Sequence, residues 1–260
     1  MQRHISRLAG TTAALLLTGT SLFAADLTAP PPAPVPPPVP AFTWTGFELG
    51  AQVGGGVGRT TLALPPFATA YDTSGPFGGI HVGFNYQFTG PLVVGLQAEY
   101  NFAGITGRAS APPLDFVTTS IREFGSADGR IGLAFDRVLI YGIGGFAYGD
   151  IRNQILLAPT AVLPFPNLAL GGLPVTRDFA ANRYGWNAGG GIEYNFYGNW
   201  TARAEYRYYS WPSKGFVDAG FPFNPIAIPF HTSRETLHTG RLGLTYKFGW
   251  PYSAPVVAKY

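Results

Sequence analysis

From Trp44 onward the chain is organised by a period of two. In the first stretch Phe47, Leu49, Ala51, Val53 and Val57 share one parity, and Glu48, Gly50, Gln52, Gly54 and Gly56 share the other. Successive side chains on a strand point to opposite faces, so this pattern predicts a strand with one apolar face and one polar or small face. The pattern recurs along the chain. Ile80, Val82, Phe84, Tyr86 and Phe88 oppose His81, Gly83, Asn85 and Gln87. Leu92, Val94, Leu96, Ala98, Tyr100 and Phe102 oppose Gly95, Gln97, Glu99 and Asn101, and Ile131, Leu133 and Phe135 oppose Asp128, Arg130 and Gly132. The stretch from Val138 to Gly149 is ambiguous; Val138, Ile140, Phe146 and Tyr148 are placed outward. Trp186, Ala188, Ile192, Tyr194 and Phe196 oppose Asn187, Gly189, Gly191, Glu193 and Asn195. Trp200, Ala202, Ala204, Tyr206 and Tyr208 oppose Thr201, Arg203, Glu205 and Arg207. Leu242, Leu244, Tyr246 and Phe248 oppose Arg241, Gly243, Thr245 and Lys247.

The connections between these stretches alternate in length. Thr89-Gly90-Pro91, Asp136-Arg137 and Tyr197-Gly198-Asn199 are tight, whereas 59–76, 103–117, 150–183 and 211–233 are long. The prediction is an all-β, eight-stranded, antiparallel, up-and-down barrel with all tight turns at one end and all long loops at the other. Outer-membrane barrels have this asymmetry, with the short turns periplasmic. An even strand number puts both termini on the periplasmic side. A closed barrel also satisfies every backbone polar group, which lipid cannot do.

Charge and composition decide which face meets lipid. Charged residues make up only 12% of the 260-residue chain, about half the ~25% usual for a soluble domain. The polar parity carries Glu48, Glu99, Asp128, Glu193 and Glu205 together with Arg130, Arg203, Arg207, Arg241 and Lys247, a near-neutral set. Glycine is concentrated on the same parity, where it relieves crowding inside a narrow barrel. The apolar parity ends in aromatic residues: Phe88, Phe135, Phe196, Trp200 and Phe248 at the turn end, Tyr100, Tyr148, Trp186 and Tyr208 toward the loops. These are the two interfacial girdles expected of a transmembrane barrel. A soluble barrel around a ligand would invert the arrangement. An eight-stranded lumen is only wide enough for side chains to fill, so the ten charges are expected to pair with one another as an interior network.

The N-terminal segment has the three parts of a secretory signal. Arg3 and Arg7 precede an apolar stretch from Leu8 to Leu22, and Phe23-Ala24-Ala25 offers small residues for cleavage. Its apolar core is too short for the ~20 residues of a spanning helix. The expected organisation is a signal at 1–24, a Pro-rich periplasmic linker at 25–41, a barrel at 42–248 and a periplasmic tail at 249–260. The run Pro30 to Pro40 lacks backbone donors and reads as a polyproline spacer.

Several functions find no support in the residues. Cysteine is absent, which removes disulfides and thiolate metal sites. There is no basic run, so no nucleic-acid partner is expected. Glycine runs fall inside strands and are not nucleotide loops. No cofactor and no metal is expected. His231 and His238 flank Ser233 and Glu235 near the loop end, and a Ser/His/Glu set there is one conceivable route to acyl cleavage. Its spacing matches no known motif, and a polar rim is the simpler reading. The long loops are unusually apolar, as in Ile155-Leu156-Leu157 and Phe221-Pro222-Phe223. They are expected to pack on one another, with lipid, a host surface or a neighbouring barrel as the alternative contact.

Trp44-Thr45-Gly46-Phe47, the hairpin Gly129-Arg130-Ile131-Gly132-Leu133-Ala134-Phe135-Asp136-Arg137-Val138-Leu139-Ile140-Tyr141-Gly142, the Gly144-Gly145-Phe146-Ala147-Tyr148-Gly149 segment and the closing Gly240-Arg241-Leu242-Gly243-Leu244-Thr245-Tyr246-Lys247-Phe248 carry a family likeness. Together they resemble the small porin-like outer-membrane proteins of alphaproteobacteria, the RopB-type and immunogenic surface proteins. The architecture is also similar to the OmpA transmembrane domain. The resemblance implies an abundant envelope protein linked to membrane integrity and surface antigenicity, without catalytic residues. Arg241, Gly243, Tyr246 and Phe248 resemble the assembly signal read by the barrel-insertion machinery, although residues 249–260 follow where that signal usually ends the chain. The expected partners are outer-membrane lipid, lipopolysaccharide and that machinery. The function expected is a structural surface barrel, with a small-solute pore and a lipid A-modifying enzyme as alternatives.

Overall fold

The computed structural model describes residues 42–64, 67–111, 114–157, 175–218, 228–232 and 235–249. The expected signal, the linker and the tail beyond Gly249 lie outside them. The described strands, in chain order, are β1 (Gly46–Leu64), β2 (Phe67–Gln87), β3 (Leu92–Ala111), β4 (Leu114–Phe135), β5 (Val138–Leu157), β6 (Val175–Tyr197), β7 (Trp200–Trp211), β8 (Lys214–Asp218), β9 (Ile228–Thr232) and β10 (Glu235–Gly249).

Eight of them, β1 to β7 and β10, pair antiparallel with their neighbours, and β10 closes on β1 to complete a barrel. The closing seam runs from Gly46↔Gly249 to Arg59↔Thr236. The tight turns fall where the sequence places them. Asp136 takes φ 52° and Gly198 takes φ 50°, the left-handed conformation that two-residue hairpins require. β8 and β9 form a small extra hairpin at the other end. It joins the wall through Leu62↔Thr232 and Ala63↔His231 of β1.

The outward apolar parity is exposed as expected. Leu96, Ile131, Phe135 and Phe248 are each more than half exposed, and Glu48, Gln52, Glu99 and Arg130 on the opposite parity are buried. The wall is inside out relative to a water-soluble domain, as lipid contact requires.

The strands are longer than the alternation indicates. Much of 59–76, 103–117 and 150–183, expected as loop, is strand. β4 runs for 22 residues, whereas about 9–11 suffice to cross a bilayer. The reason is an inversion of the pattern. Above the loop-end girdle the period of two continues, but the apolar residues change faces. On β5, Ile140 and Phe146 point outward, while Ile151 and Ile155 are buried inside and Arg152 and Gln154 face out. This upper wall lies beyond the outward apolar belt, so it follows the ordinary rule of apolar inside and polar outside.

Candidate functional site

The lumen is the one place where the sequence concentrates chemistry. All ten predicted interior charges are buried there. They come from six of the eight barrel strands, because each strand contributes every second side chain to the interior.

Toward the turn end, Arg130 of β4 reaches Glu48 of β1 at 3.1 Å and Glu193 of β6, and stacks 3.6 Å from the Tyr141 ring centroid. Glu48 also meets Lys247 at 3.4 Å and accepts from Asn85 at 2.7 Å. Glu193 accepts from the Thr201 hydroxyl at 2.6 Å. Toward the loop end, Arg207 is held by Asp128 and Glu205, each at 2.5 Å, and lies 3.4 Å from Glu99. Arg241 donates to both Glu99 oxygens, at 2.8 and 2.7 Å, and to the Tyr209 hydroxyl at 2.7 Å. Each acid in this cage has a cation within 4 Å or a neutral donor, the condition under which buried charge is tolerated.

One residue departs from the expected charge pairing. Arg203 makes no ion pair among the described residues; it donates to the amide oxygens of Gln97 at 2.8 Å and Gln52 at 2.5 Å. Gln52 passes the chain on to Glu99 and Asn101 through its amide nitrogen. Reading the charges alone misses these amides and the two inward tyrosines. Tyr141 donates to Glu205 and Tyr209 to Glu99, each at 2.7 Å. Parity was the signal available for Tyr209, which lies two residues from Arg207.

Inward glycines leave the space that these side chains occupy. A Cβ on Gly50 would lie 2.4 Å from the His81 ring, and one on Gly243 would lie 2.9 Å from Arg203 Nε. Gly243, a residue of the expected assembly signal, thus also clears room for an interior guanidinium.

The network is capped by apolar side chains at both ends. At the loop end, Phe77, Ile105, Ile121, Phe124, Ile151 and Leu237 form one cluster with Tyr209 and Trp211. At the turn end, Trp44, Val93, Leu139, Tyr141 and Ile143 form another, with Phe42 packed against it. Trp44 comes from the segment leading into β1 and is fully buried. Its indole nitrogen donates to the Asp136 carbonyl at 3.3 Å, across the mouth in the β4–β5 turn, and its ring lies 5.0 Å from the Lys247 ammonium. The sequence marks Trp44 only as part of a motif; nothing in the alternation says that it folds under the barrel. Beyond the loop-end cluster a second polar level begins, where Tyr71 bonds Thr119 at 2.6 Å and Arg183 lies 3.5 Å from Glu235.

The conceivable Ser/His/Glu set is not brought together. Glu235 is buried inside β10, whereas His238 is exposed on its outer face against Tyr206 and Tyr208. Ser233 and the His231 side chain lie outside the described residues. Among the described residues no group of three or more His, Cys, Asp and Glu side chains is arranged to hold a metal.

A closed barrel with an outward apolar belt and a filled polar lumen defines an integral β-barrel membrane protein. The chain belongs to the outer membrane protein beta-barrel domain family, whose model matches residues 13–249. It is 31% identical over 244 residues to the 31 kDa outer-membrane immunogenic protein of Brucella melitensis, covering 88% of this chain and 94% of the relative. It is 28% identical over 181 residues to the 22 kDa outer membrane protein of Rhizobium leguminosarum, covering 69% and 71% of the two chains. The protein is therefore an outer-membrane β-barrel, and the alphaproteobacterial resemblance read from its motifs holds.

Among solved structures, the chain is similar to the attachment invasion locus protein Ail of Yersinia pestis, at 14% identity and TM-score 0.35, covering 78% of this chain and 99% of that one. The outer membrane protease OmpT of Escherichia coli superposes with TM-score 0.42 at 9% identity, covering 81% and 99%. Superpositions this loose transfer no residue from one barrel to another.

Proposed function

We propose that this protein is a sealed structural barrel. Its charged lumen holds the wall together, and its loop end is displayed at the cell surface. The observation that carries this reading is the sandwich inside the barrel: an ion network with an apolar layer at each end. Apolar constrictions exclude water and ions, and a guanidinium gripped by several carboxylates is not a mobile gate. The pairing of strands across the lumen, as in Arg130 between β1 and β6, braces the cylinder and favours a role in envelope integrity. The name of the Brucella relative, an immunogenic protein, supports surface display of the loops. The tight turns and both termini then lie on the periplasmic side.

Conductance of the refolded protein in planar bilayers tests this reading. The expected result is an absence of stable current steps. Regular steps at constant size would favour the small-solute pore and overturn the sealed lumen. A lipid A-modifying activity is disfavoured by the placement of Glu235 and His238 on opposite faces of β10; unchanged lipid A mass profiles in a strain lacking the protein are expected.

A further inference from the structure

Just above the loop-end girdle, the ladders on both sides of β4 shift register at the same point. Ile121 of β4 pairs with Ile105 and Ile151, and Glu123 pairs with Phe102 and Asp150, so that Arg122 between them has no ladder partner; it is an extra residue relative to β5 and stands against the two residues Ala103 and Gly104 of β3. This bulge reverses the parity of β4. Below it Phe124, Ser126 and Asp128 point inward; above it Val117, Thr119 and Ile121 do. Bulges re-aim side chains in this way, and here Arg122 and Glu123 both face out.

Three of the neighbouring charges are already engaged. Glu123 accepts from the Tyr100 hydroxyl at 2.5 Å, and Arg152 holds Asp150 at 3.2 Å with its own side chain still 47% exposed. Arg122 is exposed and makes no ion pair among the described residues. Beside it, Ser120↔Arg152 and Thr118↔Gln154 are cross-strand pairs, and Asp178 of β6 stands opposite Gln154. With Ala180, these outward residues line a cavity of about 210 Å³ over β4, β5 and β6.

Its height in the membrane is fixed by Tyr148 of the girdle, four residues below Arg152 on the same strand. Four residues of a tilted strand rise about 10 Å. Aromatic rings mark the headgroup level, so the cavity sits where the sugar and phosphate part of an outer-leaflet glycolipid lies.

We infer that this cavity binds the phosphorylated sugar headgroup of an outer-leaflet glycolipid such as lipid A. A phosphate sits between Arg122 and Arg152, and the Asp178 carboxylate, Gln154 amide and Ser120 and Thr118 hydroxyls meet the sugar hydroxyls. Guanidinium matches phosphate with paired charge-assisted bonds, and the mixed acceptors and donors beside it suit a carbohydrate better than a bare anion. Anchoring in the leaflet also supplies the ligand at high effective concentration, which a soluble phosphate lacks. The inference rests on the outward orientation of the loop end.

The test uses the full chain refolded in zwitterionic detergent, with its thermal unfolding midpoint followed as bisphosphorylated lipid A is added. Lipid A is expected to raise the midpoint. Arg122→Gln should keep the lipid-free midpoint and need about five- to tenfold more lipid A for half of the effect, the loss of one charge-assisted contact. Arg59→Gln, on the outer wall of β1, should behave as the parent. Equal stabilisation by dephosphorylated lipid A would overturn the site, as would an unchanged half-saturation in Arg122→Gln. An equal effect of inorganic phosphate or phosphatidylglycerol at the same concentration would overturn the glycolipid assignment. Detergent has no sidedness, so this assay does not depend on orientation. Protease shaving of intact cells reports orientation separately.

Discussion

Arg130 shows how much rests on single side chains in this lumen. It bridges two acids from strands on either side of the barrel and covers the Tyr141 ring. Removing one member of a buried pair strands the other in a medium that cannot solvate it, at a cost of ~3–5 kcal/mol. Arg130→Ala is expected to lower the urea unfolding midpoint markedly, by a free energy of about that size. Glu193→Gln should cost less, because Thr201 still donates to the remaining oxygen. The double variant Arg130→Ala/Glu193→Gln should be more stable than the sum of the two losses, and strict additivity would show that the pair is not coupled. The charges themselves were legible from parity alone, since an ionised side chain on the minority face of a lipid-facing strand has nowhere else to go. Their partners were not. Glu48 and Arg130 are 82 residues apart, and no periodicity along one strand says which distant strand lies opposite across the lumen.

At the level of elements, two strands explain where sequence reading stops. β5 was ambiguous because its inward face is apolar as well: Leu139, Tyr141 and Ile143 enter the turn-end cluster, while Ala147 and Ile151 enter the loop-end cluster. The alternation of β4 is legible only from Asp128 onward, because the bulge at Arg122 and the inversion of the apolar face break it together. The girdles, by contrast, were readable, since amphipathic rings at the ends of apolar runs are dictated by the two interfaces. β10 carries an element-scale prediction. Phe248 is half exposed on the lipid face and stacks edge-on against Tyr246 at 5.0 Å, and it makes no contribution to the lumen network. Phe248→Ala is therefore expected to remove little stability from the folded barrel but to reduce the amount assembled in the outer membrane several-fold, if the insertion machinery reads this residue. Membrane fractionation with heat-modifiable gel migration separates the two effects. Normal assembled levels would refute the signal.

For the whole molecule, the proposed sealed lumen ties together the network, the two apolar layers and Trp44 beneath the barrel. Salt offers a test that does not need current. Mobile ions screen charges over ~3 Å at 1 M and ~10 Å at 0.1 M, but only where they can reach them. In a water-filled pore the carboxylates and guanidiniums would be screened, and the cost of Arg130→Ala would shrink as salt is added. In a sealed barrel Arg130 and Glu193 stay out of reach, each with a side chain only 1% exposed. The free-energy difference between parent and Arg130→Ala is thus expected to be the same, within experimental scatter, at 0.05 M and 1 M sodium chloride. Taking the difference between variants cancels the general effect of salt on the surface and on the detergent. Trp44→Ala sharpens the comparison, because it takes the indole away from Lys247 and the Asp136 carbonyl at the turn-end mouth. If Trp44 is what keeps that end dry, the cost of Arg130→Ala becomes salt-dependent in the Trp44→Ala background. The loop-end cluster is untouched by that substitution, so no current is expected there either. A cost that falls with salt in the parent itself would mean that the lumen is already wet, and the structural reading would give way to a pore.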